Sequence, residues 1–213
     1  MKTAVTLSDH PCCINSGRPV IGIDEVGRGS LIADVVTAAV IFPGDMPAGL
    51  KDSKTISSKK RDILEPQIKE KGIWAIGRAT VEEIDEHGIL QATLLAMFRA
   101  WRGISEEYRN GALVIIDGDK APKIPGDIIL LPKGDQLCPT ISAASILAKV
   151  CRDKEIEALH LIEGRYNLGK NKGYGTKDHF AAISEHGPSK YHRKSFNPVR
   201  TILRERAKIA DKP

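Results

Sequence analysis

"VIGIDEVGRGS", residues 20–30, is the stretch whose reading decides the fold. An apolar run from Val20 to Ile23 ends in two adjacent acids, Asp24 and Glu25, and Gly27-Arg28-Gly29 follows almost at once. The run predicts a β-strand over Val20–Val26. Taken alone, the stretch is equally an ordinary strand leaving through a Gly-rich turn. It is not a known phosphate-cradling loop, because neither GxGxxG nor GxxxxGK[ST] is present. Neighbouring side chains on a strand point to opposite faces. Asp24 and Glu25 therefore cannot reach one common ligand unless the strand breaks between them.

Working outward, Val35–Phe42 predicts a second, β-branched strand, and Pro43-Gly44 opens a loop. Ser57 to about Lys71 reads as a polar helix that Pro66 ends or kinks. Ile73–Thr80 reads as a third strand. Thr80-Val81-Glu82-Glu83 has the form of a capping box. A helix should start there, break near Gly88 and resume, with Leu90, Leu94, Met97 and Trp101 as a core stripe. Leu113–Asp117 and Ile128–Leu131 read as short strands. The small-residue run ISAASILAKV opens a long helix from Pro139 to about Gly164, and helical stretches follow near Lys177–His186 and Pro198–Ile209. Strands able to pair antiparallel come first, and helices and strands then alternate. The pattern predicts an α/β fold with a mixed sheet flanked by helices. A single domain over 1–213 is expected, with 1–19 as a short N-terminal extension.

Composition narrows the class. The 213 residues are 41% hydrophobic and 28% charged, ordinary for a globular chain able to bury a core. No apolar run approaches the length needed to span a bilayer, and the first residues lack a signal-peptide core. A cytoplasmic protein is expected. The four cysteines form no CxxC pair, and the histidines complete no zinc spacing. Net charge is +5, but Arg165–Pro213 alone holds twelve Lys or Arg against four Asp or Glu. A basic C-terminal quarter on a mildly acidic body suggests a polyanionic partner.

Three strands lead to acids: Asp24 and Glu25 close the first, Asp117 closes VIID, and Asp135 follows LLPKGD. Sites collect at strand ends on one edge of an α/β sheet. Carboxylates gathered there repel one another unless a cation lies between them. Oxygen donors without histidine or thiolate suit Mg²⁺ or Mn²⁺. Two such ions ~3.5–4 Å apart can clamp the attacking and leaving oxygens of a phosphodiester. Asp24 is expected to bridge the metals, with Glu25 acting through its main-chain carbonyl or from behind the ligands.

Seven blocks then occur in order: GIDEVGRG (22–29), LKDSKTIS (50–57), ILQATLLAM (89–97), IIDG (115–118), KGDQLCPTISAASILAKVCRD (133–153), KGYGT (172–176) and HGPSKYHRKSF (186–196). Together they resemble bacterial ribonuclease HII, the type 2 ribonuclease H, from about Val20 to Val199. The resemblance implies a ribonuclease H-like fold with a five-stranded mixed sheet and a basic, helical C-terminal part. It implies an Mg²⁺- or Mn²⁺-dependent endonuclease acting 5′ of ribonucleotides and leaving 3′-hydroxyl and 5′-phosphate ends. The implied substrates are RNA–DNA hybrids and single ribonucleotides embedded in duplex DNA. No membrane and no obligate protein partner is expected.

The resemblance carries catalytic and metal roles onto Asp24, Glu25, Asp117 and Asp135. Gly27, Arg28 and Gly29 match the triplet whose main chain meets the 2′-hydroxyl, where any Cβ would obstruct. Tyr174 matches the tyrosine that packs on the next deoxyribose. Lys54 matches a lysine near the scissile phosphate. Lys172, Arg193 and Lys194 read as phosphate contacts, and Asp52 and Asp153 as structural acids. One departure follows the triplet: Ser30-Leu31-Ile32-Ala33-Asp34 stands where the family runs Pro-Leu-Ala-Gly-Pro, and Asp34 is expected near the metals. A ribonuclease HIII-like nuclease, with its extra N-terminal domain, or a catalytically silent nucleic-acid-binding protein of the same fold are the competing readings.

Overall fold

The computed structural model describes residues 18–50 and 56–210; the expected N-terminal extension, Cys12, Cys13, Asp52 and Lys54 lie outside the described residues. The opening run forms β1 (Val20–Val26), buried from Ile21 through Asp24. Strand β2 (Val35–Ile41) is buried along its whole length, as expected of a strand covered on both faces. The remaining strands are β3 (Ile73–Ala79), β4 (Leu113–Asp117) and β5 (Ile128–Leu131). They form one five-stranded sheet in the order β3-β2-β1-β4-β5. Strands β1, β2 and β3 pair antiparallel, and β4 and β5 join parallel to β1. The mixed sheet of the sequence reading is thus present.

Helices α1 (Ser58–Lys71), α2 (Val81–Gly103) and α4 (Pro139–Ile162) cover the sheet, with the one-turn α3 (Glu106–Arg109) leading into β4. Alternation along the strands sorts two cores. Ile21, Ile23, Ala39 and Ile41 pack with Met97 and Trp101 of α2. Ala38 and Val40 pack with Leu64 and Ile68 of α1 and with Ala144 and Leu147 of α4. Gly22 faces this second side, and a Cβ there would fall inside the Thr140–Ile141 peptide. The missing side chain lets the start of α4 lie directly on β1, just behind Asp24. A third core joins Leu31 and Ile32 to Ile156 and Leu159, to α5 (Leu168–Asn171) and α6 (Lys177–His186), and to Val199 of α7 (Val199–Ala210). It anchors the chain that leaves β1.

The local signals hold in most places. The capping box closes through Thr80 and Glu83, and Gly88 breaks α2 with φ 77°. Pro66 does not end α1, which continues to Lys71. Burial of Leu64 and Ile68, with the Ser57 hydroxyl capping the Lys60 N–H, holds the helix past the one bond proline removes. Leu90 does not join the core stripe; it is 37% exposed, just past the Gly88 break that turns the helix.

Candidate active site

Parallel pairing builds the acid cluster. Ile23 sits beside Ile116 in the β1–β4 register, so Asp24 and Asp117 come next, side by side. After β5, Lys133 takes a left-handed φ of 62° and swings the chain into a 3₁₀ turn at Gly134–Gln136. That turn delivers Asp135, and its Gly134 N–H donates to Asp117 Oδ1 at 2.8 Å. Asp24, Asp117 and Asp135 each offer an oxygen, all within 4.8 Å of one another. Asp24 Oδ1 accepts the Glu25 N–H at 2.7 Å, and the Ser145 side chain reaches Asp24 from α4.

Charge in this cluster is poorly balanced. Burial first, then the charges of Glu25 and Asp117, push the Asp24 carboxyl well above the usual carboxylate range. Such a group favours either a proton or a cation. Three oxygen donors that close, with no nitrogen or sulfur among them, fit a hard divalent ion. Glu25 lies outside this trio. Its side chain points across the strand toward α2 and meets Arg28 at 3.3 Å. Burial raises its carboxyl too, with Arg28 opposing.

The Gly27–Gly29 triplet and Tyr174, far apart in sequence, are brought together. Ser30 and Tyr174 form an isolated antiparallel bridge, and the Leu31 N–H donates to the Gly173 carbonyl at 2.9 Å. Tyr174 is 38% exposed and lines a cavity of about 380 Å³ with Asp24, Glu25, Asp117, Ser145, Arg61 and Lys149. A Cβ on Gly29 would lie 3.8 Å from the Tyr174 ring. Gly27 has φ 92°, and a Cβ there would strike the Arg152 guanidinium. At Gly27 the positive φ and this close approach both require glycine.

Arg193 lies elsewhere than the sequence reading placed it. It is fully buried, with Nε donating to the Ala33 carbonyl and Nη1 to the Arg28 carbonyl, both at 2.9 Å. Burial, then the nearby charge of Arg152, lowers its pKa to about 9. The reason for the correction is geometric: a guanidinium committed beneath the triplet cannot meet a phosphate at the surface. Arg152, also buried, donates to the Ile32 carbonyl at 3.2 Å. Lys172 remains at the surface and pairs with Glu157 at 3.0 Å. Asp34 is another correction. It faces Val81, Arg78 and Glu155 and takes no part in the acid trio.

Sequence reasoning missed Arg61, Ser145 and Lys149. A signal existed for two of them, since Ser145, Lys149 and Asp153 are four apart on one face of α4. Asp153 holds Lys149 at 2.6 Å and Arg61 at 4.0 Å on the cavity's rim, in keeping with its structural reading.

A sequence profile of the family described as "Ribonuclease HII" matches residues 21–199. The chain belongs to the ribonuclease HII family. Among its relatives, a ribonuclease HII of Vibrio campbellii is 52% identical over 186 residues, covering 86% of each chain. One from Vibrio cholerae is 50% identical over 86% of this chain and 89% of its own. The solved ribonuclease H2 of Pyrococcus horikoshii superimposes with a TM-score of 0.72 at 24% identity, over 89% of this chain and 99% of that one. Bst-RNase HIII in complex with Mn²⁺ gives 0.68 at 18% identity, over 93% and 75%. These two establish the ribonuclease H-like fold. Family membership makes the chain a ribonuclease H: a hydrolase and an endonuclease acting on nucleic acid. No helix among the described residues is long and apolar enough to cross a membrane.

Proposed function

We propose that this protein is a single-domain, cytoplasmic, divalent-metal-dependent endonuclease. It hydrolyses the phosphodiester on the 5′ side of ribonucleotides, in RNA–DNA hybrids and at single ribonucleotides within duplex DNA. The observation that carries the reading is one juxtaposition. An oxygen-only acid trio has two of its members, Asp24 and Asp117, in one cavity with Tyr174, beside the Gly27–Gly29 backbone. Asp24, Asp117 and Asp135 are the residues that would hold Mg²⁺ or Mn²⁺. Bound there, the ions supply charge neutralisation at the phosphate and an activated water. The fold relative in complex with Mn²⁺ supports that choice of ion.

The chain's own groups do the rest. Water's oxygen bonds to phosphorus, the bond from phosphorus to the 3′-oxygen breaks, and that oxygen takes a proton. The ends are a 3′-hydroxyl and a 5′-phosphate. Gly27 and Gly29 let the main chain approach the 2′-hydroxyl, and Tyr174 packs its ring on the following sugar. Arg61 and Lys149 at the rim, with Arg28 and Lys172 further out, are positioned for backbone phosphates, and the family resemblance adds Lys54 to that role. Glu25 works from across the strand, beside Arg28.

The test uses purified protein, Mg²⁺ or Mn²⁺, and a duplex holding one ribonucleotide. A nick 5′ to that residue, with 3′-hydroxyl and 5′-phosphate ends and abolished by EDTA, is expected. Failure to cleave with either ion, or a cut on the 3′ side, would overturn the reading.

A further inference from the structure

Two fully buried histidines lie behind Tyr174, His179 on α6 and His192 in the segment before α7. Their hydrogen bonds admit one arrangement of protons. His179 Nδ1 lies 3.0 Å from the Tyr174 carbonyl, which only accepts, so Nδ1 carries the proton. His192 Nδ1 receives the Ser189 N–H at 3.0 Å, so that nitrogen is bare. The two Nε2 atoms face each other at 3.2 Å. In the neutral rings His192 Nε2–H must donate and His179 Nε2 must accept.

The ends of this chain of bonds matter. One end is the Tyr174 carbonyl, which also accepts the Thr176 N–H at 2.8 Å. The other is His192, which forms an isolated bridge with Ile32 in the segment after the glycine triplet. Ser30 bridges back to Tyr174, so the loop closes through the two rings. The Tyr166 ring packs edge-on to His192 at 4.6 Å. Its hydroxyl donates to the Gly187 carbonyl at 2.6 Å.

We propose that His179 and His192 form a fixed-tautomer relay that sets the Tyr174 backbone against the Gly27–Gly29 loop. They act as positioning residues for recognition of a ribonucleotide followed by DNA. The inference rests on the junction-reading role given to Tyr174 above. The surroundings keep both rings neutral: burial lowers His179, and burial, then the facing His179, lowers His192 to about 3. The ionisable groups around His192 are His179, Tyr166 and Arg165, and Arg165 is itself paired with Glu163 at 2.9 Å. A bond chain this specific does more than fill space, because any apolar ring would do that.

The experiment compares kcat/KM on a single-ribonucleotide duplex with kcat/KM on a continuous hybrid. The ratio cancels losses common to both substrates. His179→Phe should lower it by roughly threefold to tenfold, the range one hydrogen-bonded group commands. His179→Asn keeps an amide N–H where Nδ1–H was but offers His192 Nε2–H no acceptor, so it should recover the ratio only in part; full recovery would remove His192 from the relay. Tyr174→Ala is run alongside. A reduced ratio for Tyr174→Ala with an unchanged one for His179→Phe overturns the relay alone. No effect of Tyr174→Ala overturns the junction reading and the relay with it. If His179→Phe does not fold, imidazole ¹⁵N spectra of the wild type decide. Nδ1–H on His179 with Nε2–H on His192 is expected, and any other tautomer pair rejects the relay.

Discussion

The acid cavity and the basic seam beneath the glycine triplet both bury charge, yet in opposite ways. In the cavity, Asp24 is surrounded by charges of its own sign, Glu25 and Asp117. In the seam, Arg152 and Arg193 are spent on main-chain carbonyls of Ile32, Ala33 and Arg28. The first arrangement is completed by a cation from outside. The second is largely completed within the chain and shapes the loop it supports. Buried charge thus marks a ligand site when like charges converge, and a scaffold when backbone dipoles answer it.

Substitution should separate the two. Asp117→Asn removes a cavity charge at nearly constant shape. Turnover at saturating Mg²⁺ should fall by about two orders of magnitude or more, as when one group leaves a preorganised electrostatic site. The melting temperature of the metal-free protein should hold or rise, because one repelling charge has gone. Near-normal cleavage would place the centre elsewhere.

The seam should respond in reverse. Arg193→Ala should cost roughly 2–4 kcal/mol, since the part-buried Arg28 and Ala33 carbonyls lose their donor and a fully buried side chain is removed. The salt dependence of binding to a non-cleavable hybrid should keep its slope. Lys172→Ala should barely move stability while reducing that slope by about one, the signature of a lost phosphate contact. Denaturant titrations and binding at several salt concentrations read both; a flattened slope for Arg193→Ala would return that residue to the nucleic-acid face.

The smallest effect belongs to an exposed pair. The Arg99 side chain and then the Thr80 N–H, against some desolvation, hold Glu83 down to about 2 from 4.5. A depressed carboxylate stabilises the fold above its unfolded pKa, and that contribution fades as pH falls from 4.5 toward about 2. Arg99 is 43% exposed, so solvent screening leaves less than about 1 kcal/mol. Glu83→Gln should lose that little at pH 7 and show a shallower decline in melting temperature between those two pH values. An equally steep decline would assign the acid limb to other groups.

The strands, the mixed sheet and the acid trio were legible in the sequence, because strand ends and alternating faces follow from local pattern. Strand alternation also separates Glu25 from Asp24. What escaped it was which basic groups turn inward. Arg193 and Lys194 are adjacent and alike as letters, yet one is fully buried and the other exposed. Periodicity cannot make that distinction where the segment is irregular. Leu90 escaped for another reason: it shares the face of Leu94 and Met97 but stands in the first turn after the Gly88 break, bordering a recess with Asp119 and Lys120 instead of the core. The histidine pair carried no signal at all, since its two members meet only through tertiary packing of α6 against the segment before α7.

The order of strands in the sheet has a consequence for when the centre exists. Strands β1, β2 and β3 pair antiparallel with partners nearer in sequence, β3 following β2 through α1. Asp24 meets Asp117 only through the β1–β4 pair, which closes a far longer loop and so carries the larger entropic cost. Any opening that detaches β4 from β1 dismantles the acid trio while the three-stranded meander stays whole. The hydrolytic centre is therefore a reporter of complete topology: a chain that has made its local turns but not its long-range parallel pair holds a sheet and no nuclease.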